Sequence, residues 1–293
     1  MSFEPSFSLI LKYSYLRWKT DRVSRLAAAL SYFSLFSLLP FFLLFLTISG
    51  MFFGDSIASQ EIFTNLSGIM GNETAGFVQD TIRNFNSYSH SFTSAIILIL
   101  VMFFGLTSVY LEMQSAFHFV WRIRDFQNSF TESFFSRSKG FFALVIFAGL
   151  LSLHISIKFY VLEIKQWLSV NHPSIRILDS LLRDIFLFVF IWVLLSIMFK
   201  FIAHAKITWK DVLTGSGTAC LLLWVSKVFV IRLLTNNRIV GFFGGGGSII
   251  LFMIWIYVCM LIILFGAEVT YVNAKCLGRP IQTKKVLPPG VPK

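Results

Sequence analysis

Six long apolar runs, parted by stretches that carry most of the charge, set the pattern of this chain: residues 26–53, 95–119, 141–164, 185–203, 212–234 and 249–272. A helix crossing about 30 Å of hydrocarbon needs about 20 mostly apolar residues, and each run has that length. Apolar residues do not alternate with polar ones, so the runs read as helices and not as strands of a membrane barrel. The expected fold class is all-α: a polytopic integral membrane protein whose residues 26–278 form a bundle of six transmembrane helices. Basic residues precede the first run as in a signal peptide, but the run is long and no small-residue cleavage site follows, which predicts a retained span.

Three segments lie outside the runs. Residues 1–25 mix Phe7, Leu9, Ile10, Leu16, Trp18 and Val23 with Lys12, Arg17, Lys19 and Arg22, as in an amphipathic helix lying in the membrane interface. The alternative is a helix that meets a partner within a homo-oligomer. In the loop 54–92, Ile62, Leu66, Ile69 and Met70, then Phe77, Val78, Ile82 and Phe85, recur at helical spacing and predict short helices over the outer face. Residues 279–293, which end in VLPPGVPK, are expected to be a disordered cytoplasmic tail.

Composition agrees: 56% of residues are hydrophobic and 13% charged, with 35 phenylalanines, which excludes a soluble domain. A formal charge of +11 raises the question of a nucleic-acid partner. Most Lys and Arg residues fall before the first span, between the second and third, between the fourth and fifth, and after the sixth. The other side holds Arg83, Lys165, Arg176, Arg183 and Arg238. This positive-inside bias puts both termini in the cytoplasm and accounts for the charge without nucleic acid. Cys220, Cys259 and Cys276 are widely separated and read as packing residues, and no His or Cys spacing predicts a metal or cofactor.

Ionisable residues at bilayer depth are costly and carry the candidate chemistry. Glu112 shares a small, polar helical face with Gly105, Ser108 and Ala116, and Glu268 shares a face with Tyr257, Leu261 and Leu264. Both glutamates are expected toward the cytoplasmic side, Glu268 near enough to the interface to be partly wet. His154 and Lys158 lie one turn apart in the third span, and Lys227 and Arg232 lie in the fifth, which makes the outer half of the membrane basic. Arg232 reads as a snorkelling side chain, whereas Lys227 is deeper, with Asp184 at the start of the fourth span as a candidate counter-ion. Each has a plainer reading as helix–helix glue. Pro40, near mid-membrane behind Ser31, Ser34 and Ser37, predicts a kink or gate. Gly244, Gly245, Gly246 and Gly247 predict a hinge or close approach of the fifth and sixth helices. Recognition of an anionic headgroup through backbone N–H groups is their second reading, and a nucleotide site is not expected, since no lysine stands where a phosphate loop needs one.

Two regions carry a family resemblance. RLAAALSYFSLFSLLPFFLLFLTISGMFFG at 25–54 resembles the alanine-rich, Tyr-Phe-Ser stretch of the YihY/BrkB family of bacterial inner-membrane proteins, which runs into Ser-Leu-x-Pro, here Ser37 to Pro40. GGGGSIILFMIWIYVCMLIILFGAEVTYVNA at 244–274 resembles its glycine-serine turn, Trp-x-Tyr pair and Gly-Ala-Glu element, here Gly247, Ser248, Trp255, Tyr257, Gly266, Ala267 and Glu268. The resemblance covers residues 20–278. It departs at Phe243 and the four glycines, where the family has a tyrosine before a single glycine-serine turn, and at FIAHAKITW, which lacks the family's proline. It implies a multi-pass protein of the bacterial inner membrane and a transporter linked to lipid handling. An older ribonuclease label also attaches to the family.

Three functions compete. A ribonuclease needs water-accessible acids, bases or metal ligands, and neither the short cytoplasmic connections nor the scattered histidines supply them, so no catalytic residue is expected. A translocator of an anionic lipid or amphiphile uses intramembrane charges and irregular helices, with Glu112, Lys227, Glu268, His154, Lys158 and Asp184 along its path. A scaffold that organises the membrane uses the same residues only to join helices.

Overall fold

The computed structural model describes residues 6–53, 76, 92–123, 138, 140–143, 145–150, 153, 175–202, 205–234, 247–279 and 281–283. They are mostly helical. The elements are α1 (Phe7–Thr20), α2 (Val23–Phe53), α3 (Phe92–Val120), α4 (Ile175–Ile202), β1 (Ala205–Lys206), α5 (Trp209–Leu234), α6 (Gly247–Cys276) and β2 (Gln282–Thr283). Residues 140–143 and 145–150 are also helical; the rest of the expected third span, save Leu153, and the loop 54–91, save Gly76, lie outside the described residues.

Local chemistry sets the helix ends. At α1 the Ser6 carbonyl accepts the Leu9 and Ile10 amides at 2.9 and 3.2 Å. The helix closes where the Asp21 amide returns to the Arg17 carbonyl at 2.7 Å and Arg22 turns left-handed at φ 49°, so α2 begins at Val23, ahead of the expected Leu26. Both α3 and α6 end in the paired closure that requires a left-handed residue. The Ile123 amide bonds the His118 carbonyl at 2.9 Å, and the Arg279 amide bonds the Ala274 carbonyl at 2.8 Å. The left-handed residue is Gly278 at φ 68° in one case and Arg122 at φ 55° in the other. Glycine adopts that backbone freely, whereas a side chain there costs roughly 1 kcal/mol.

α2, α3, α4, α5 and α6 run for 31, 29, 28, 26 and 30 residues, each more than a bilayer crossing requires. Within α4 and α6, Ile185–Ile202 and Phe252–Cys276 are long and apolar enough to cross a membrane by length and composition. α4 starts ten residues before the expected span, because Ile175–Asp184 continues the helix through polar positions that a hydropathy window stops at.

α6 is the central helix, packed against α5, α2, α1 and α3, while α4 lies against α5 and α3. The core gathers where α2 and α5 begin and α3, α4 and α6 end: Val23, Ala27, Phe117, Val120, Trp121, Phe199, Val212, Ala267 and their neighbours are buried together. Phe117 meets Phe199 edge-on at 5.0 Å. α5 and α6 touch backbone to backbone, since a Cβ on Gly266 would stand 2.7 Å from both the Ala219 Cβ and the Gly215 carbonyl oxygen.

The opposite faces are apolar and open. On α4, Phe186, Val189, Val193, Ile197 and Phe201 recur every three or four residues and are exposed, as are Leu221, Trp224 and Val225 on α5. So much exposed apolar surface suits lipid and not water.

Arg17, Lys19, Arg22, Arg25, Arg122, Lys200, Lys206, Lys210, Lys275 and Arg279 collect at the end of the bundle where the core lies. The chain after α6 is ordered at its start, contrary to the expected disorder of 279–293: Gln282 and Thr283 pair antiparallel with Lys206 and Ala205. The turn at Gly278 returns the chain along the bundle, and Arg279 fastens it there.

Candidate functional site

At the basic end α1 folds across α6. Ile10 packs on Val269 and Val272, the buried Ser14 hydroxyl bonds the Ile10 carbonyl at 2.8 Å, and one turn later Arg17 reaches inward. The Arg17 Nε donates to Glu268 Oε2 at 3.0 Å, and its Nη2 donates to the Val120 carbonyl at 3.2 Å. The guanidinium lies over the Tyr271 ring, 4.0 Å from its centroid. Nη2 also stands 3.4 Å from Asp21 Oδ2, while Asp21 Oδ1 accepts from Arg122 Nη2 at 2.6 Å.

The result is a chain of alternating charge, Glu268–Arg17–Asp21–Arg122, that joins α6, α1 and the end of α3. Its two acids are buried and its two arginines reach toward solvent: the Glu268 and Asp21 side chains are 0% and 5% exposed, Arg17 23% and Arg122 54%. Burial works against the Arg17 charge, but Glu268 and Tyr271 outweigh it and hold the guanidinium above the ordinary arginine pKa. Among the described residues Glu268 Oε1 is buried without a hydrogen-bond partner, so they satisfy half of the carboxylate. The expectation that Glu268 is partly wet is therefore corrected: α1 covers it, and the Trp121 indole, bonded to the Ala267 carbonyl at 3.0 Å, closes the α3 side.

A second cluster fastens the chain end. Thr208 donates its hydroxyl to Asp211 in the first turn of α5, and Asn273 of α6 donates to Asp211 Oδ1 at 2.9 Å. Arg279 Nη2 lies 3.5 Å from the same oxygen, and Arg279 Nη1 bonds the Thr208 hydroxyl at 3.3 Å. Asp211 is 1% exposed. Among the described residues, no three His, Cys, Asp or Glu side chains gather as a metal site.

The other expected site residues stand apart from these clusters. Glu112 is half-buried on α3, about 12 Å along the helix from Val120, so the two glutamates do not share a site. Lys227 is exposed on α5, one turn beyond Trp224. α2 is helical through Pro40, whose side chain lies outside the described residues, as does that of Asp184 in α4. Gly247 is the first residue of α6; His154, Lys158, Gly244, Gly245 and Gly246 lie outside the described residues. Sequence reasoning passed over Arg17, Asp21, Arg122, Asp211, Asn273 and Arg279. The available signal was scarcity, since Asp21 and Asp211 are rare acids in strongly basic segments.

A family model described as "Virulence factor BrkB" matches residues 14–286. The chain belongs to the BrkB family. The match starts three residues before Arg17 and ends beyond β2, so both polar clusters lie within it. Curated relatives of this BrkB chain are named UPF0761 membrane protein. One from Stenotrophomonas maltophilia is 21% identical over 95% of this chain and 63% of its own length. One from Vibrio campbellii is 22% identical over 91% and 82% of the two chains, and one from Cronobacter sakazakii 25% over 89% and 86%. The chain thus spans less than two thirds of the Stenotrophomonas relative. No solved structure matches it. BrkB membership makes the chain a helical membrane protein, and the relatives' printed names state no catalytic activity.

Proposed function

We propose that the chain is a six-span protein of the bacterial inner membrane, with both termini cytoplasmic, that moves an anionic lipid or amphiphile between leaflets. The observation that carries this reading is Lys227. It is exposed on α5, about 27 Å along the helix from Trp209 at the basic end. A cation on a face this apolar needs an anion, and phospholipid offers one at headgroup depth. The basic end presents further cations to the opposite leaflet, so both ends of the bundle can hold an anionic headgroup.

The test is transfer of a fluorescent anionic phospholipid between leaflets of liposomes containing the purified protein, with Lys227→Ala, Glu268→Gln and protein-free vesicles alongside. Transfer above the protein-free rate, lost in folded Lys227→Ala, supports the reading. Transfer at the protein-free rate rejects it.

A second reading, a scaffold without transport, is favoured by the Glu268–Arg17–Asp21–Arg122 chain and the Gly215–Gly266 contact, both of which join helices tightly. It predicts that their substitution changes assembly and leaves lipid transfer at the protein-free level in every variant.

A further inference from the structure

α1 spends one face on the protein and leaves the other uncovered. Ile10 and Ser14 are buried, with Leu11, Arg17 and Trp18 half-buried beside them. At 100° per residue Lys12, Leu16, Lys19 and Leu9 fall on the far side, flanked by Tyr13 and Tyr15. Leu9, Tyr13, Tyr15 and Leu16 are each between 45% and 56% exposed, and both lysines are exposed.

We infer that this outward face of α1 is a docking surface for the anionic headgroup layer of the membrane, with Lys12 and Lys19 on lipid phosphates and Leu9, Leu16 and the tyrosines at the acyl boundary. The mixture of side chains selects the occupant. A water-facing helix would not line its open side with leucine and tyrosine. A second protein copy would need a drier centre, because lysine is depleted from the cores of protein interfaces. A headgroup layer accommodates both: leucine and tyrosine enter the boundary while lysine extends its charge outward. Lys12 and Lys19 stand two turns apart, about 10 Å, so they engage different lipids. The inner face explains how the helix is held. Arg17, turned away from the lipid side and locked to Glu268, fixes the rotation of α1 and so the direction in which the lysines point. The inference does not depend on whether the chain transports.

The experiment uses the full chain in liposomes, with Cys220, Cys259 and Cys276 replaced by serine and a spin label at Tyr13→Cys or Leu16→Cys. In bilayers containing phosphatidylglycerol, both labels should collide with oxygen more readily than with a water-soluble nickel chelate. Free access of the chelate overturns the inference, and so does spin–spin broadening that places a second copy on the face. In a parallel arm, phosphatidylglycerol and phosphatidylcholine retained by the purified protein are counted by mass spectrometry. The Lys12→Ser/Lys19→Ser variant should lose phosphatidylglycerol several-fold and keep phosphatidylcholine. Equal retention of phosphatidylglycerol by a variant with unchanged thermal unfolding overturns the role of the lysines.

Discussion

The Arg17 guanidinium on α1 lies 3.0 Å from the Glu268 carboxylate on α6, 251 residues away in the chain. Removing the arginine leaves a fully buried carboxylate without its cation. Arg17→Met should lower stability by about 3 kcal/mol, the low end for breaking a buried pair, because Arg17 itself is partly exposed. The double variant Arg17→Met/Glu268→Leu should recover much of that loss. Thermal unfolding in detergent measures both, and equal instability of single and double variants would rule out the stranded charge as the cause.

Arg122 holds a left-handed backbone at φ 55° and an exposed ion pair to Asp21. Arg122→Gly relieves the backbone while losing the pair, two effects of about 1 kcal/mol or less that nearly cancel. Arg122→Ala loses the pair and keeps the strain, so it should be the less stable of the two. The reverse order in chemical denaturation would contradict this account of the α3 terminus.

The α5–α6 contact admits no side chain at Gly215 or Gly266. Gly266→Ala should cost roughly 1 to 3 kcal/mol as the helices part. Gly149, which faces open space, provides the control: Gly149→Ala should leave stability unchanged or raise it. Melting temperatures of the two variants decide the matter.

Asp211 anchors Asn273 and Arg279, and through them the returning chain end. In Asp211→Ala, amide hydrogen exchange should quicken at Lys206 and Thr283 before it changes in the middle of α5. Unchanged protection of the β1–β2 pair would mean that the strand contact holds without the carboxylate.

Cys276 is exposed at the basic end, whereas Cys220 is buried. In the proposed orientation, a membrane-impermeant maleimide should label Cys276 in inside-out vesicles and spare it in intact spheroplasts. Labelling in spheroplasts would reverse the proposed orientation.

The sequence by itself determined the helical class and the approximate bounds of α2, α3, α5 and α6, because a membrane segment is specified locally: enough consecutive apolar residues in lipid leave the backbone no partner but its own helix. It also set the basic character of one end. Only the tertiary structure decided where the charges go. Glu268 lies near the end of an apolar run and reads as partly wet until α1 is known to fold across it. Arg17 looks like one more interfacial cation among Lys12, Lys19 and Arg22, yet helix rotation turns it inward and leaves the lysines outside. The start of the 279–293 tail reads as disordered from composition, but Arg279, Gln282 and Thr283 find partners on Asp211, Lys206 and Ala205 that lie some 70 residues earlier in the chain. Hydropathy is summed over neighbours in sequence, whereas an ion pair depends on which helix ends meet in space.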